Sequence, residues 1–564
     1  MAQQQVLAAF ALAGLVLIGW GSVFRWLCGS RVRDVDDLFG AFFEGWALLL
    51  GALQVWHLFC PVDERAALFA GVVAIVGLGL GTWRAWRRVA RRIPRNAPAL
   101  VLTALAAVWL SQQSLDGPRH GDAGGYYLPT ILWMHAYPVV VGLGNLYAPY
   151  AYNQSYFLYA AAAELGPFAG RSYHIVNSLL LMGLLARGIL GLWRVVWPRR
   201  AVRWNDLLYA FLLPGEIALA LSIFLTSPAP DTGVFLIGAA LFGSVLELAN
   251  ARPSVARFHL LAVVLFTLAG WTIKVSFAGM AAALLVVAPL GWHWRFRPSW
   301  REASHTATVA ATIAVFMGIP WLIGNVLMSG CPFFPSAFAA LDVRWRVHLD
   351  VQQWIQSDKY IGPLSLMWKE PLWVWRRLIG FGWGEPDVAL PLAIGGTAML
   401  VGPLLVSARR LFGSRRVRER LPWWIVLPPL VSLAFALRLT PMPRYAGATM
   451  WLVGITAVLL ACGDWLRRTV LGRVTAAFAT VVMSVWLAST APTIWPGHRN
   501  FATAPAIQTD ARVLASGLSI NVPRGVEACF AAPLPCAPHP DPRLKLRRAG
   551  DLAGGFEIEQ SNGE

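Results

Sequence analysis

The sequence predicts an all-α polytopic membrane protein of about fourteen transmembrane helices, and three observations carry that expectation. Hydrophobic residues make up 57% of the 564 and charged ones only 13%, with a positive mean hydropathy, a balance from which no water-soluble surface can be built. Apolar runs of about 20 residues, the length that crosses a bilayer, recur along the chain. Arginines cluster between those runs, as they do in cytoplasmic loops.

The formal charge of +18 does not point to nucleic acid. Only four of the 47 basic residues are lysine (Lys274, Lys359, Lys369, Lys545), and no aromatic-basic reading module interrupts the membrane pattern. The arginines and the 28 tryptophans suit headgroup contacts, so membrane lipids are the expected surroundings. The run Val6 to Phe24 has no basic residue ahead of it and reads as a retained span, not a signal peptide.

Arg84, Arg87, Arg88, Arg91, Arg92 and Arg95 fix the orientation by placing their loop inside. Spans near 6–24, 39–59, 66–82 and 98–114 then make up an N-terminal set over residues 1–114, and Asp116 falls outside. Residues 115–172 read as one external loop with two interfacial helices, roughly Tyr126 to Ala136 and Gln154 to Leu165. The next set, 173–327, holds spans near 173–194, 206–226, 233–249, 258–273, 276–292 and 305–327. A second external loop covers 328–387, opened by SGCPFFPS, with an amphipathic helix expected over the site. Spans near 388–409, 423–441, 446–462 and 474–491 complete the set 388–491 and leave 492–564 as an external tail. Under this count Arg194 to Arg203, Arg252 and Arg257, Arg295 to Arg301, Arg409 to Arg420 and Arg467 to Arg473 all lie on the cytoplasmic side.

Chemistry is expected on the external side. HGDAGGYYLP, His120 to Pro129, puts an acid and a base just beyond a span, and Asp122 is the first candidate for a general base. A helix cap would suit Asp122 equally well, and Asp116 and His120 are weaker candidates. GLGNLYAPYAYNQSYF, Gly142 to Phe157, offers flat rings and amides of the kind that hold sugars, and His120, Tyr126, Asn145, Tyr147 and Asn153 are the candidate substrate contacts. Tyr147, Tyr150, Tyr152 and Tyr156 would also serve as an interface belt.

SPAPD brings Asp231 to the same face as Asp122, where it is a second catalytic candidate that would orient the acceptor or assist Asp122. Lys274, in TIKVS, is the one lysine within the membrane pattern and either snorkels to the surface or supplies a point charge for a lipid-linked phosphate. Arg438 and Arg444, in RLTPMPRYAG, form a second external basic spot suited to phosphate oxygens. Glu44 and Glu216 interrupt apolar runs and read either as an ion path or as groups satisfied inside the bundle. No Cys or His cluster has metal-site spacing, so no metal ligand is assigned, although two acids in one cleft leave a divalent ion as a candidate cofactor. Cys529 and Cys536 are expected to pair in a structural disulfide.

Together GDAGGYYLP, VVVGLGNLYAPYAYNQSYF, SPAPD, TIKVS, GNVLMSGCPFFPS, PMPRYAG and CFAAPLPCAPHP resemble a family of bacterial polytopic membrane proteins related to the GT-C glycosyltransferases. The resemblance runs from about residue 110 onward. It implies a helical bundle whose first large external loop carries an acid, here Asp122, and a polyprenyl-phosphate sugar as donor. By position, phosphate binding would fall to Lys274 and Arg444. Three extra spans precede the loop, and the paired acidic motif of some relatives is missing. The expected activity is sugar transfer to a glycan, lipid or protein hydroxyl at the outer face of a bacterial inner membrane. The alternatives are a transporter or flippase of lipid-linked sugars and a non-catalytic subunit of envelope-glycan assembly.

Overall fold

The computed structural model describes residues 1–80, 96–197, 201–353, 421–439, 443–491 and 494–559, and isolated positions at 87, 90, 91, 395 and 397. Its long helices are α1 (Ala2–Leu27), α2 (Val35–His57), α3 (Glu64–Leu80) and α4 (Ala97–Gln113), followed by two short ones, α5 (Leu128–Ala136) and α6 (Ser155–Ala162). The bundle continues with α7 (Val176–Val196), α8 (Trp204–Ala220), α9 (Pro230–Asn250), α10 (Pro253–Ile273), α11 (Ala278–Phe296) and α12 (Trp300–Ser329). It ends with α13 (Leu427–Leu439), α14 (Thr449–Arg468) and α15 (Val470–Thr490). Among the described residues nine helices are long and apolar enough to cross a membrane, and the protein is a multi-pass membrane protein. The span expected near 388–409 lies outside the described residues, apart from 395 and 397.

Local chemistry sets where the helices start and stop. Asp34 caps α2 by accepting from the Asp37 amide, with Asp36 and Asp37 in the first turn. Prolines open α9 and α10, and Ser299 caps α12, which ends where Gly330 turns left-handed at φ 77°. α1 and α2 pack backbone to backbone: a Cβ on Gly45 would collide with the Leu17 carbonyl, and one on Gly21 with that of Ala41.

Two expectations are corrected. The run 206–226 does not remain helical to its end, because α8 stops at Ala220 and residues 221–228 fold into turns. Those turns bring Phe224 beside His120 and let Thr226 donate to the Gly117 carbonyl. The short helices of 115–172 are not surface helices: Trp133 on α5 and Tyr156, Phe157, Leu158 and Ala160 on α6 are almost fully buried.

The tail packs on the first of them, with the Phe556 ring edge-on to Trp133. It pairs β1 (Thr509–Val513) with β2 (Ser519–Pro523), and β3 (Leu544–Leu546) with β4 (Phe556–Ile558), each antiparallel. Cys529 and Cys536 are disulfide-bonded. The Ala502 amide donates to the Leu115 carbonyl, Phe530 to Gly124 and Phe556 to Val141, so the tail is sewn to the first loop.

Candidate functional site

Chain direction alone brings several charges to one end of the bundle. α4 delivers Asp122, α9 begins with Asp231 in its first turn, α10 finishes at Lys274, and the turn Pro443–Ala446 between α13 and α14 carries Arg444. Arg194 and Arg203, and the arginine-rich connections at 252–257, 295–301 and 467–473, lie at the other end.

Lys274 Nζ is 2.5 Å from Asp231 Oδ1 and sits over the Tyr445 ring, 4.0 Å from its centroid. The other face of the cluster is held by Arg444. Its Nη1 lies 3.3 Å from Asp122 Oδ2 and 2.7 Å from His120 Nε2, its Nη2 donates to the Tyr445 hydroxyl at 2.9 Å, and its Cζ stands 4.9 Å from that ring. One tyrosine thus joins the two cations.

A guanidinium has only donors to offer, so His120 Nε2 accepts from Arg444, while Nδ1 faces the Asp122 amide at 3.2 Å and lies 3.8 Å from Asp122 Oδ2. Burial, the largest influence, lowers the His120 pKa despite the Asp122 carboxylate nearby. For Arg444 burial works against the charge, but Tyr445, Asp231 and Asp122 outweigh it and raise its pKa above the ordinary value. Tyr127 donates to Asp122 Oδ2 at 3.3 Å and lies flat against His120, with ring planes 6° apart.

Asp122 leads into a π-helical turn, Ala123–Tyr127, a form common at functional sites. That turn carries Tyr126 and Tyr127. Gly124 is needed within it, because a Cβ there would enter the Phe530 ring from the disulfide loop.

Polar atoms are left over. Asp231 Oδ2, Arg444 Nε, Ser227 Oγ, Ser276 Oγ and Gln154 Oε1 are buried and accept or donate no hydrogen bond among the described residues. Beside Lys274 and Tyr445 opens a cleft walled by aromatic side chains that include Tyr126, Tyr152, Trp271 and Trp321. Among the described residues no group of three or more His, Cys, Asp or Glu gathers where a metal ion would bind.

The candidate residues therefore separate. Asp122, His120, Asp231, Lys274 and Arg444 form one cluster, and Tyr126 lines the adjoining cleft. Asn145 and Asn153 do not face it as substrate contacts: Asn145 donates to the Trp345 carbonyl and Asn153 to that of Trp321, each tying the first loop to α12 or the loop after it. Tyr147 packs against Tyr150, whose hydroxyl donates to the Cys536 carbonyl, and Tyr156 is bonded to Asn177. Tyr150 and Tyr156, each 0% exposed, are core residues and not an interface belt.

Glu44 is satisfied inside the bundle by Arg25, whereas neither oxygen of the buried Glu216 has a hydrogen-bond partner among the described residues. Tyr445, Tyr127, Gln154 and Ser276 were not singled out from the sequence; only the position of Tyr445 next to Arg444 marks it.

A family model described as a domain of unknown function (DUF8201) matches residues 5–451, which include all five residues of the cluster. The chain belongs to that family. No curated protein and no solved structure matches it.

Proposed function

We propose that this family member is a membrane glycosyltransferase, GT-C-like with about fourteen spans, seated in a bacterial inner membrane. It takes a sugar from a polyprenyl-phosphate donor and gives it to a hydroxyl of a glycan, lipid or protein at the extracytoplasmic face. The observation that carries this reading is the cluster itself. Lys274 and Arg444 both lie against the Tyr445 ring, and among the described residues each is paired with a single carboxylate and Arg444 Nε has no hydrogen-bond partner. Two cations with donor capacity to spare suit a phosphate that arrives with its lipid. The gathering of arginine-rich connections at the opposite end supports an outward-facing site.

In the transfer, the acceptor oxygen attacks the anomeric carbon and its proton passes to Asp122, whose side chain is 34% exposed and open to an incoming hydroxyl. The bond from the anomeric carbon to the phosphate oxygen breaks, and the polyprenyl phosphate leaves as an anion beside Lys274 and Arg444, with no acid required. Asp231 positions the Lys274 ammonium. With purified protein in nanodiscs, polyprenyl-phosphate sugars and envelope acceptors, Asp122→Asn is expected to lower transfer by about 10²- to 10⁴-fold while the melting temperature stays near wild type. Full transfer by that variant would refute the role given to Asp122.

Transport of lipid-linked sugars is a second reading, favoured by two observations. The buried Glu216 lacks a hydrogen-bond partner among the described residues, and a polar cleft of about 630 Å³ opens among Arg25, Asp37, Arg187 and Glu247 at the arginine-rich end. Cysteines placed along the spans would label from both sides in a transporter and from one side in the transferase.

A further inference from the structure

The cleft beside Lys274 is mostly apolar, yet two polar atoms in its wall have no hydrogen-bond partner among the described residues. Gln154, 7% exposed, presents a buried Oε1 without a partner, and Ser276 presents an unpartnered Oγ two residues beyond Lys274. An isoprenoid chain filling this space would leave both stranded, at about 1–3 kcal/mol each. Their neighbours in the wall are rings: Trp271 and Trp321, with centroids 6.0 Å apart and planes tilted by 54°, and Tyr126 and Tyr152. Trp321 is held in place by its own Nε1, which donates to the Asn153 carbonyl at 3.1 Å, so its ring face is a fixed surface. A ligand that meets all of this has an apolar face for the rings and hydroxyls for an amide oxygen and a serine. A pyranose or furanose ring is that ligand.

We infer that the glycosyl group of the donor lies in this cleft, stacked on the Trp271–Trp321 wall, with its hydroxyls bonded to Gln154 Oε1 and Ser276 Oγ. This rests on the reading that Lys274 and Arg444 hold the lipid phosphate, and it makes Gln154 and Ser276 the residues that distinguish a sugar-bearing lipid from a bare one. Because the cleft adjoins Lys274 and Tyr445, the phosphate stays on the cations while the ring extends toward Gln154.

The test compares affinities in nanodiscs for undecaprenyl phosphate alone and for undecaprenyl phosphate carrying glucose, galactose, mannose or arabinose. Wild type is expected to bind at least one glycosylated lipid more tightly than the bare lipid. Gln154→Leu and Ser276→Ala are each expected to remove about three- to tenfold of that preference and to leave the bare-lipid affinity unchanged. Ser276→Ala removes a single atom, so the question stays answerable should Gln154→Leu fold poorly. If wild type binds bare and glycosylated lipids alike, or if both variants retain the preference, the sugar subsite is refuted while phosphate binding stands. If no lipid phosphate binds, both readings fall.

Discussion

The two ends of the bundle each bury a group of charges, and they differ in how completely those charges are matched. At the arginine-rich end Arg25 grips Glu44 through Nε and Nη2, at 2.6 and 2.9 Å, and Asp37 through Nη1, at 2.6 Å. Asp36 takes Arg194 at 2.7 Å and Arg203 at 2.9 Å, while Asp206 takes Arg187 at 3.2 Å and Arg194 at 3.1 Å. These forked contacts clamp α1 to α2 and both to the α7–α8 hairpin. Arg187 Nη1 and Arg257 Nε are exceptions, without a hydrogen bond among the described residues, and the Arg187 Cζ lies 4.7 Å from the Tyr209 ring centroid. At the Lys274 end, among the described residues, Asp122 and Asp231 each meet one cation, and Asp231 Oδ2 and Arg444 Nε remain unmatched. The same residue types do two jobs. Saturated pairs cement helices, whereas half-saturated ones can take up a ligand.

Removing one partner from the saturated end should therefore have the largest structural effect. Arg25→Met strands the buried Glu44 and is expected to cost about 3–5 kcal/mol, read as a large fall in melting temperature in detergent, while the protein that remains folded keeps its lipid-phosphate affinity. A wild-type melt would erase the distinction between the ends. A smaller effect is expected where the tail meets the site. Gly124→Ala drives a methyl group into Phe530 and should cost about 1–3 kcal/mol, partly recovered when Phe530→Ala is added. Additive losses in the double variant would show that the disulfide loop does not press on the π-helical turn.

Charges were the legible part of this site. Asp122, Asp231, Lys274 and Arg444 each interrupt or border an apolar run, and counting arginines through the loops sends all four to one end before any contact is known. The helices were legible for the same reason, since hydropathy over about 20 residues reports burial in lipid. It does not report where a run bends, which is why the break after Ala220 was invisible. Nor does composition tell a ring that faces a ligand from one that faces the core. Asn145, Asn153, Tyr150 and Tyr156 look like sugar-binding residues in a linear reading, but their partners Trp345, Trp321, Cys536 and Asn177 come from other parts of the chain. Tyr445, which bridges the cations, is one more aromatic residue until the fold stacks Lys274 on it.

Undecaprenyl phosphate binding to the purified protein in nanodiscs, measured for wild type, Lys274→Met and Arg444→Met, probes the cluster most directly. Each variant is expected to bind about 10- to 100-fold more weakly, the worth of one charge-assisted hydrogen bond to phosphate. Equal affinity across the three proteins would contradict the assignment of this end of the bundle to a lipid-linked phosphate.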